Sequence, residues 1–318
     1  MNLIKISKEL EKACIWILVG PTASGKTSLA IEIAKRADCE IISADSLQIY
    51  REFNIGSAKP SKEQLKEVKH HLISSVSPLK VLNAYEYSQK ARKAILDILS
   101  RGKQPLLVGG SGLYIKAVVD GLVKIEDHSE TKREELYKEL SAKGLPALYM
   151  DLTGVDPEAA AKIHFNDEFR IIRALELFRL TGKTRKESAK TAEPFKLGNF
   201  IFLGLNIEKQ LLYKRINDRV DSMIKDGLLE EVIKITEKYG FGIHPLKALG
   251  YSQFVDYLKK IISFEAAVTS IKTGTRHYAK RQITWFKKEP RIKWLEVTDD
   301  NELLLITAIK KFTEKKCQ

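Results

Sequence analysis

Cysteine is scarce in this 318-residue chain: Cys14, Cys39 and Cys317 are the whole set, odd in number and without a C-x-x-C pair. Such a set argues against a disulfide framework or a zinc knuckle and fits a reducing cytosol. Long apolar runs are missing as well. "CIWILV" at 14–19 is too brief to cross a bilayer and leads straight into a turn, so neither a signal peptide nor a membrane helix is expected. There is no internal repeat and no low-complexity tract. Acidic residues are in the minority, 41 Asp and Glu against 54 Lys and Arg, for a net charge of +13. That balance suits a polyanionic partner such as nucleic acid or a membrane surface, and a merely basic soluble enzyme would show it too. The length allows one large domain, or a core with a smaller appended one, with a real hydrophobic interior.

Against these absences stands one strong local signal. Gly20-Pro21-Thr22-Ala23-Ser24-Gly25-Lys26-Thr27 satisfies G-x-x-x-x-G-K-[ST]. In such a loop the glycines let backbone N–H groups wrap a polyphosphate, the lysine neutralises it and the threonine hydroxyl helps hold Mg²⁺. The β-rich "CIWILV" precedes it and "TSLAIEIAKRA", apolar at helical spacing, follows. The loop therefore grips a di- or triphosphate without saying which. No N/T-K-x-D box reads guanine, and no apolar strand ends in an Asp-Glu pair; "ALYMD", ending at Asp151, reads as a surface helix carboxylate.

"CEIISADS" (39–46) reads as a second buried strand that ends at Asp45, and "QPLLVGGSGLYIKAVV" (104–119) repeats strand, glycine turn and helix. The alternation predicts an α/β fold, a parallel sheet of the P-loop NTPase type flanked by helices, with sites at the strands' carboxyl ends. Between Lys124 and Lys196 charge rises and helical patterns replace strands, until "FIFLGLNI" (200–207) returns to the sheet. We therefore expect a core of 1–123 and 197–318 carrying a helical insertion domain at 124–196. Asp45, at the sheet rim beside the loop, is placed to take a proton from an attacking nucleophile; a helix N-cap or a magnesium ligand is the alternative.

"GPTASGKT", "DSLQIY" (45–50), "IGSAKP" (55–60), "LLVGGSGLYIKA" (106–117), "IHFNDEFRIIRALE" (163–176) and "AKRQITWF" (279–286) follow one another in the order and spacing of the tRNA dimethylallyltransferases. The resemblance runs from about Ile15 to Leu295. It implies a cytoplasmic, monomeric enzyme that transfers a dimethylallyl group from dimethylallyl diphosphate to the exocyclic amine of the adenosine 3′ of the tRNA anticodon. It implies Mg²⁺ near Thr27, and a diphosphate held by residues 20–27 and Arg219, which shares a helix face with Arg215. Lys26 and Ser111 join Asp45 as catalytic groups. Contacts to the tRNA anticodon stem-loop are implied at Asp45, Ser46, Leu47 and Gln48, at Ser111 and Arg133, at Phe169, Arg170, Ile171, Ile172 and Arg173, and at Lys247, Ala248, Leu249, Gly250, Tyr251 and Ser252.

The chain departs from the family pattern in three places: Ser111 stands for the usual threonine, Ser74 ends "HHLIS" where an acid is usual, and Phe165 replaces a proline. His70-His71 has no partner at metal-ligand spacing and reads as structural or as an RNA-facing patch. "TRHYAKRQITWFKKEPRIK" (275–293), seven Lys or Arg interleaved with aromatics, suits RNA or an ordinary amphipathic helix. The rival readings are a P-loop kinase of a small metabolite, a prenyltransferase of free adenine nucleotides, and an RNA-binding module that retains the loop.

Overall fold

The computed structural model describes residues 13–123, 129–195, 198–298 and 300–314. The N-terminal segment before Ala13, the texture changes at Lys124 and Lys196, and Cys317 lie outside them. The chain divides into two compact units, 1–119 with 195–318, and 120–194, a few residues from the boundaries expected above.

The first unit is built on six strands: β1 (Cys14–Val19), β2 (Cys39–Ala44), β3 (His70–His71), β4 (Gln104–Gly109), β5 (Asn199–Asn206) and β6 (Ile292–Glu296). They lie in the order β3-β2-β4-β1-β5-β6, and every pairing is parallel. β1, β2 and β4 are near-continuous apolar runs because helices cover both faces of a parallel sheet. Along β1 the side chains alternate between two cores. Ile15, Ile17 and Val19 join Ile42, Tyr87, Ile95, Tyr114 and Phe254 on one face. Trp16 and Leu18 join Ile33, Ile41, Leu203 and Phe312 on the other, where the Trp16 and Phe312 rings stack at 4.7 Å.

Two strands escape the sequence reading. β3 is two residues long, and β6 follows directly on a long basic helix, so neither shows a period of its own. A second correction concerns neighbours: β4 lies between β1 and β2, so the Gly109 turn separates the phosphate loop from Asp45. Cys39 is a free, buried thiol pushed up to about 12, mainly by desolvation.

The regular elements of the second unit, among its described residues, are all helices: Ser129–Lys143, Leu145–Val155, Pro157–Ala160, Glu168–Thr181 and Arg185–Lys190. Leu136, Leu148, Leu152, Ile163, Ile171, Ile172 and Leu175 form its own core. Asp151 is exposed on the Leu145–Val155 helix, as expected.

Candidate active site

Three parallel strands end side by side, and each hands a functional turn to the same rim. β1 runs into the phosphate loop, whose Gly25 adopts φ +89° immediately before the helix Lys26–Arg36. A left-handed backbone is cheap only for glycine, and it swings the first amides of the helix toward the loop's interior. Lys26 Nζ donates to the Pro21 carbonyl at 2.5 Å, curling over the loop. The Ser24 hydroxyl is buried and has no hydrogen-bond partner. β2 delivers Asp45, whose Oδ1 accepts from the backbone N–H groups of Leu47 (2.8 Å) and Gln48 (3.1 Å). No helix begins at 46–49, so Asp45 is not a helix N-cap: its Oδ1 fixes a turn, and Oδ2 stands outside those bonds. β4 delivers Gly109, Gly110 and Ser111; the Ser111 Oγ accepts from Ser46 N–H at 3.2 Å, tying this turn to the Asp45 turn.

Between the turns lies a cavity of about 90 Å³ lined by Thr22, Lys26, Thr27, Asp45, Gly110 and Arg219 among others. A larger one of about 350 Å³ shares Thr22, Asp45, Ser57, Arg219 and Tyr278 with it and is walled by Ile216, Val220, Met223, Leu228, Leu249 and Ile271. Arg219 comes from the helix Lys209–Lys225; Arg215 does not line either cavity. Desolvation, then the Arg219 charge, lowers the Lys26 ammonium to about 7, and Asp45 offsets only part of this. Burial lowers Arg219 in the same way. Two desolvated cations therefore face a single carboxylate, which is the electrostatic signature of a site made for an added anion.

Sequence reasoning missed the fourth wall. The helix Phe264–Phe286 sends Gln282 between the loops: its Oε1 accepts from Thr22 N–H at 2.8 Å and its Nε2 donates to the Gly110 carbonyl at 3.0 Å. One turn earlier Tyr278 lines both cavities, its hydroxyl pushed up to about 12 mainly by burial. Both residues fall within or beside the quoted "AKRQITWF", and that motif was their only signal. Another wall is the stretch 53–60, held by Glu231, which accepts from the N–H groups of Asn54, Ile55 and Gly56 and from the Tyr251 hydroxyl at 2.6 Å.

A family model described as IPP transferase matches residues 48–289. A tRNA dimethylallyltransferase of Caldanaerobacter subterraneus subsp. tengcongensis is 47% identical over 90% of this chain and 92% of its own, and one of Geobacter metallireducens is 42% identical over 95% and 98%. The chain belongs to the IPP transferase family. The crystal structure of a tRNA delta(2)-isopentenylpyrophosphate transferase from Staphylococcus epidermidis superposes with a TM-score of 0.68 at 36% identity, covering 95% of this chain and all of that one. A eukaryotic dimethylallyltransferase acting on tRNA gives 0.75 at 27% identity, over 90% of this chain and 74% of that one.

The RNA-facing residues expected of an IPP transferase are placed unevenly. Ser46, Leu47, Ala248, Leu249 and Gly250 line the larger cavity. Lys247 closes a short 3₁₀ turn, and Ser252 sits half-buried at the start of the next helix. Gln48 spends its side chain inside the protein, accepting from Ser43 Oγ and donating to the Ser57 and Ala58 carbonyls. Tyr251 is fully buried, so its side chain belongs to the core and not to an RNA surface. The same correction applies in the helical unit to Ile171 and Ile172: the helical period that exposes Phe169 and Arg170 turns these two inward. Phe169 stands 73% exposed, and Arg170 is loosely paired to Asp167 at 3.4 Å. Arg133 and Arg173 share the buried carboxylate of Glu176. His71 bonds the buried Glu40 at 2.6 Å beside Arg101 and is structural, while His70 lines the smaller cavity.

Proposed function

We propose that the chain transfers the dimethylallyl group of dimethylallyl diphosphate to the exocyclic amine of the adenosine 3′ of the tRNA anticodon, acting as a cytoplasmic monomer. One observation carries this reading: the anion cradle around Lys26 and Arg219 shares Thr22, Asp45, Ser57, Arg219 and Tyr278 with a larger cavity that has an apolar wall. A kinase of a polar metabolite has no use for walls of Ile216, Val220, Met223 and Leu228, whereas a C5 chain attached to a diphosphate needs both halves.

As the allylic carbon–oxygen bond breaks, negative charge grows on the departing diphosphate, and Lys26, Arg219 and the loop amides stabilise it. The adenine amine forms the new carbon–nitrogen bond and gives up a proton, which Asp45 Oδ2 accepts. The Ser111 hydroxyl, tied to the Asp45 turn through Ser46, orients the incoming amine. The acceptor base has to leave its stack to enter the chamber, at a cost of about a few kcal/mol.

Mg²⁺ fits this donor set as a partner of the substrate. Among the described residues no group of three or more His, Cys, Asp or Glu gathers to hold a metal, and the cradle offers the Thr27 hydroxyl and Asp45. Mg²⁺ commonly rides on phosphates with one or two protein ligands and its own water. Thr27 would hold it there, and the ion would add Lewis-acid stabilisation to the leaving diphosphate. No helix among the described residues is long and apolar enough to cross a membrane.

The test is mass spectrometry of unmodified tRNA after incubation with the protein, Mg²⁺ and dimethylallyl diphosphate. We expect a gain of one dimethylallyl unit on the adenosine beside the anticodon. Phosphorylation of a metabolite by ATP, with unmodified tRNA, would favour the kinase reading instead.

A further inference from the structure

Gln282 bonds two backbone groups and no charged one, and it is only 6% exposed in the wall of the smaller cavity. Its carboxamide is used at both ends, by Thr22 N–H at 2.8 Å and by the Gly110 carbonyl at 3.0 Å. The approach is close enough that a Cβ on Gly110 would lie 2.1 Å from Gln282 Nε2, so glycine at that position makes room for the contact. The two partners belong to different substrates' sides of the site: Thr22 to the diphosphate loop, Gly110 to the turn whose Ser111 holds the Asp45 turn in place.

We infer that Gln282 is a positioning residue for transfer: its side chain fixes the separation of the phosphate loop from the Gly110–Ser111 turn, and so sets the reach between the breaking carbon–oxygen bond and the amine delivered beside Asp45. The inference rests on the reading proposed above. Reaction geometry is sensitive to displacements of about 1 Å, which cost on the order of a hundredfold in rate. Diphosphate binding depends on Lys26, Arg219 and the remaining loop amides, none of which Gln282 contacts in those bonds. Loss of the clamp should therefore separate turnover from binding.

Two variants test this. Gln282→Met keeps the length and removes both hydrogen bonds; Gln282→Glu keeps an acceptor for Thr22 and withdraws the donor from Gly110. Transfer kinetics with dimethylallyl diphosphate and saturating tRNA, calorimetry with inorganic diphosphate, and thermal melting are measured on the full chain. We expect kcat to fall at least about thirtyfold in Gln282→Met and at least about tenfold in Gln282→Glu. The affinity of Gln282→Met for inorganic diphosphate and its KM for the donor should stay within about threefold. A folded variant with kcat within about threefold of wild type overturns the inference. So does a kcat loss matched by an equal loss of diphosphate affinity, the mark of a role in building the loop alone. A wild type that binds inorganic diphosphate yet alkylates no tRNA sinks the functional reading and this inference with it, whereas normal wild-type transfer with unimpaired variants sinks the inference alone.

Discussion

Lys26 sits where burial and the Arg219 charge hold its ammonium down to about 7, with Asp45 restoring only a part. The unfolded chain keeps the ordinary value of 10.5, so between these two pH values it binds more protons than the folded state, and stability rises with pH across that window and is flat below it. Lys26→Met should remove this contribution to the slope and raise the melting temperature of the ligand-free protein at pH 7 by about 1–2 °C, the effect of about 1 kcal/mol in a chain of this size. The same variant should lose measurable binding of inorganic diphosphate by calorimetry. A variant that melts lower and still binds would contradict the cradle's electrostatics. Asp45 differs, because its Oδ1 is spent on the backbone and its proposed chemistry falls to Oδ2. Asp45→Asn retains an oxygen for the turn, so it should bind diphosphate normally and lose transfer by at least about a hundredfold in single-turnover assays. Near-normal turnover would remove Asp45 from the role of proton acceptor.

At the scale of elements, the stretch 53–60 is a wall without regular structure, and its backbone depends on the first turn of the helix Leu228–Tyr239. There Glu231 takes three consecutive N–H groups and the Tyr251 hydroxyl. Glu231→Ala should leave those donors unpaired at a cost of roughly 1–3 kcal/mol. The amides of Asn54, Ile55 and Gly56 should then lose protection in hydrogen exchange while the sheet keeps its own; unchanged protection there would show that the wall stands by itself. This contact also shows where sequence reading stops. The phosphate loop, Asp45 and the Gly110–Ser111 turn are legible because each is a buried strand followed within a few residues by its signature. Glu231 reaches back 176 residues to Ile55, and Gln282 reaches back 260 to Thr22. Neither pairing leaves a local pattern, since a glutamate in a first helical turn and a glutamine within a basic helix look solvated. The same limit applies to β3 and β6, whose parallel partners alone make them strands. Ile171, Ile172 and Tyr251 fail in the opposite direction: a motif read as a unit hides the helical period that sends some of its members inward.

For the whole molecule the question is what a net charge of +13 is for. Part of it is already neutralised in place. Arg133 and Arg173 converge on one buried carboxylate, Glu176, which leaves one surplus positive charge on a pre-oriented pair of guanidinium groups, each side chain 41% exposed. Arg170 is different, 64% exposed and held to Asp167 only at 3.4 Å, next to the exposed ring of Phe169. A phosphate backbone meeting such groups releases counterions, so tRNA affinity should fall steeply as salt rises, with a slope in log–log form of about 0.7 to 0.9 per phosphate contact. Arg170→Gln should weaken binding about equally for all tRNAs and reduce that slope by about one, with melting unchanged. Arg133→Gln should weaken binding as well and also lower stability, because it takes one of two partners from a buried charge. Filter binding of tRNA between low and moderate salt, on wild type and the two variants, separates these effects. A flat salt dependence in the wild type would mean that the excess charge serves something other than RNA, and a slope that survives Arg170→Gln unchanged would move the contact to another part of the surface.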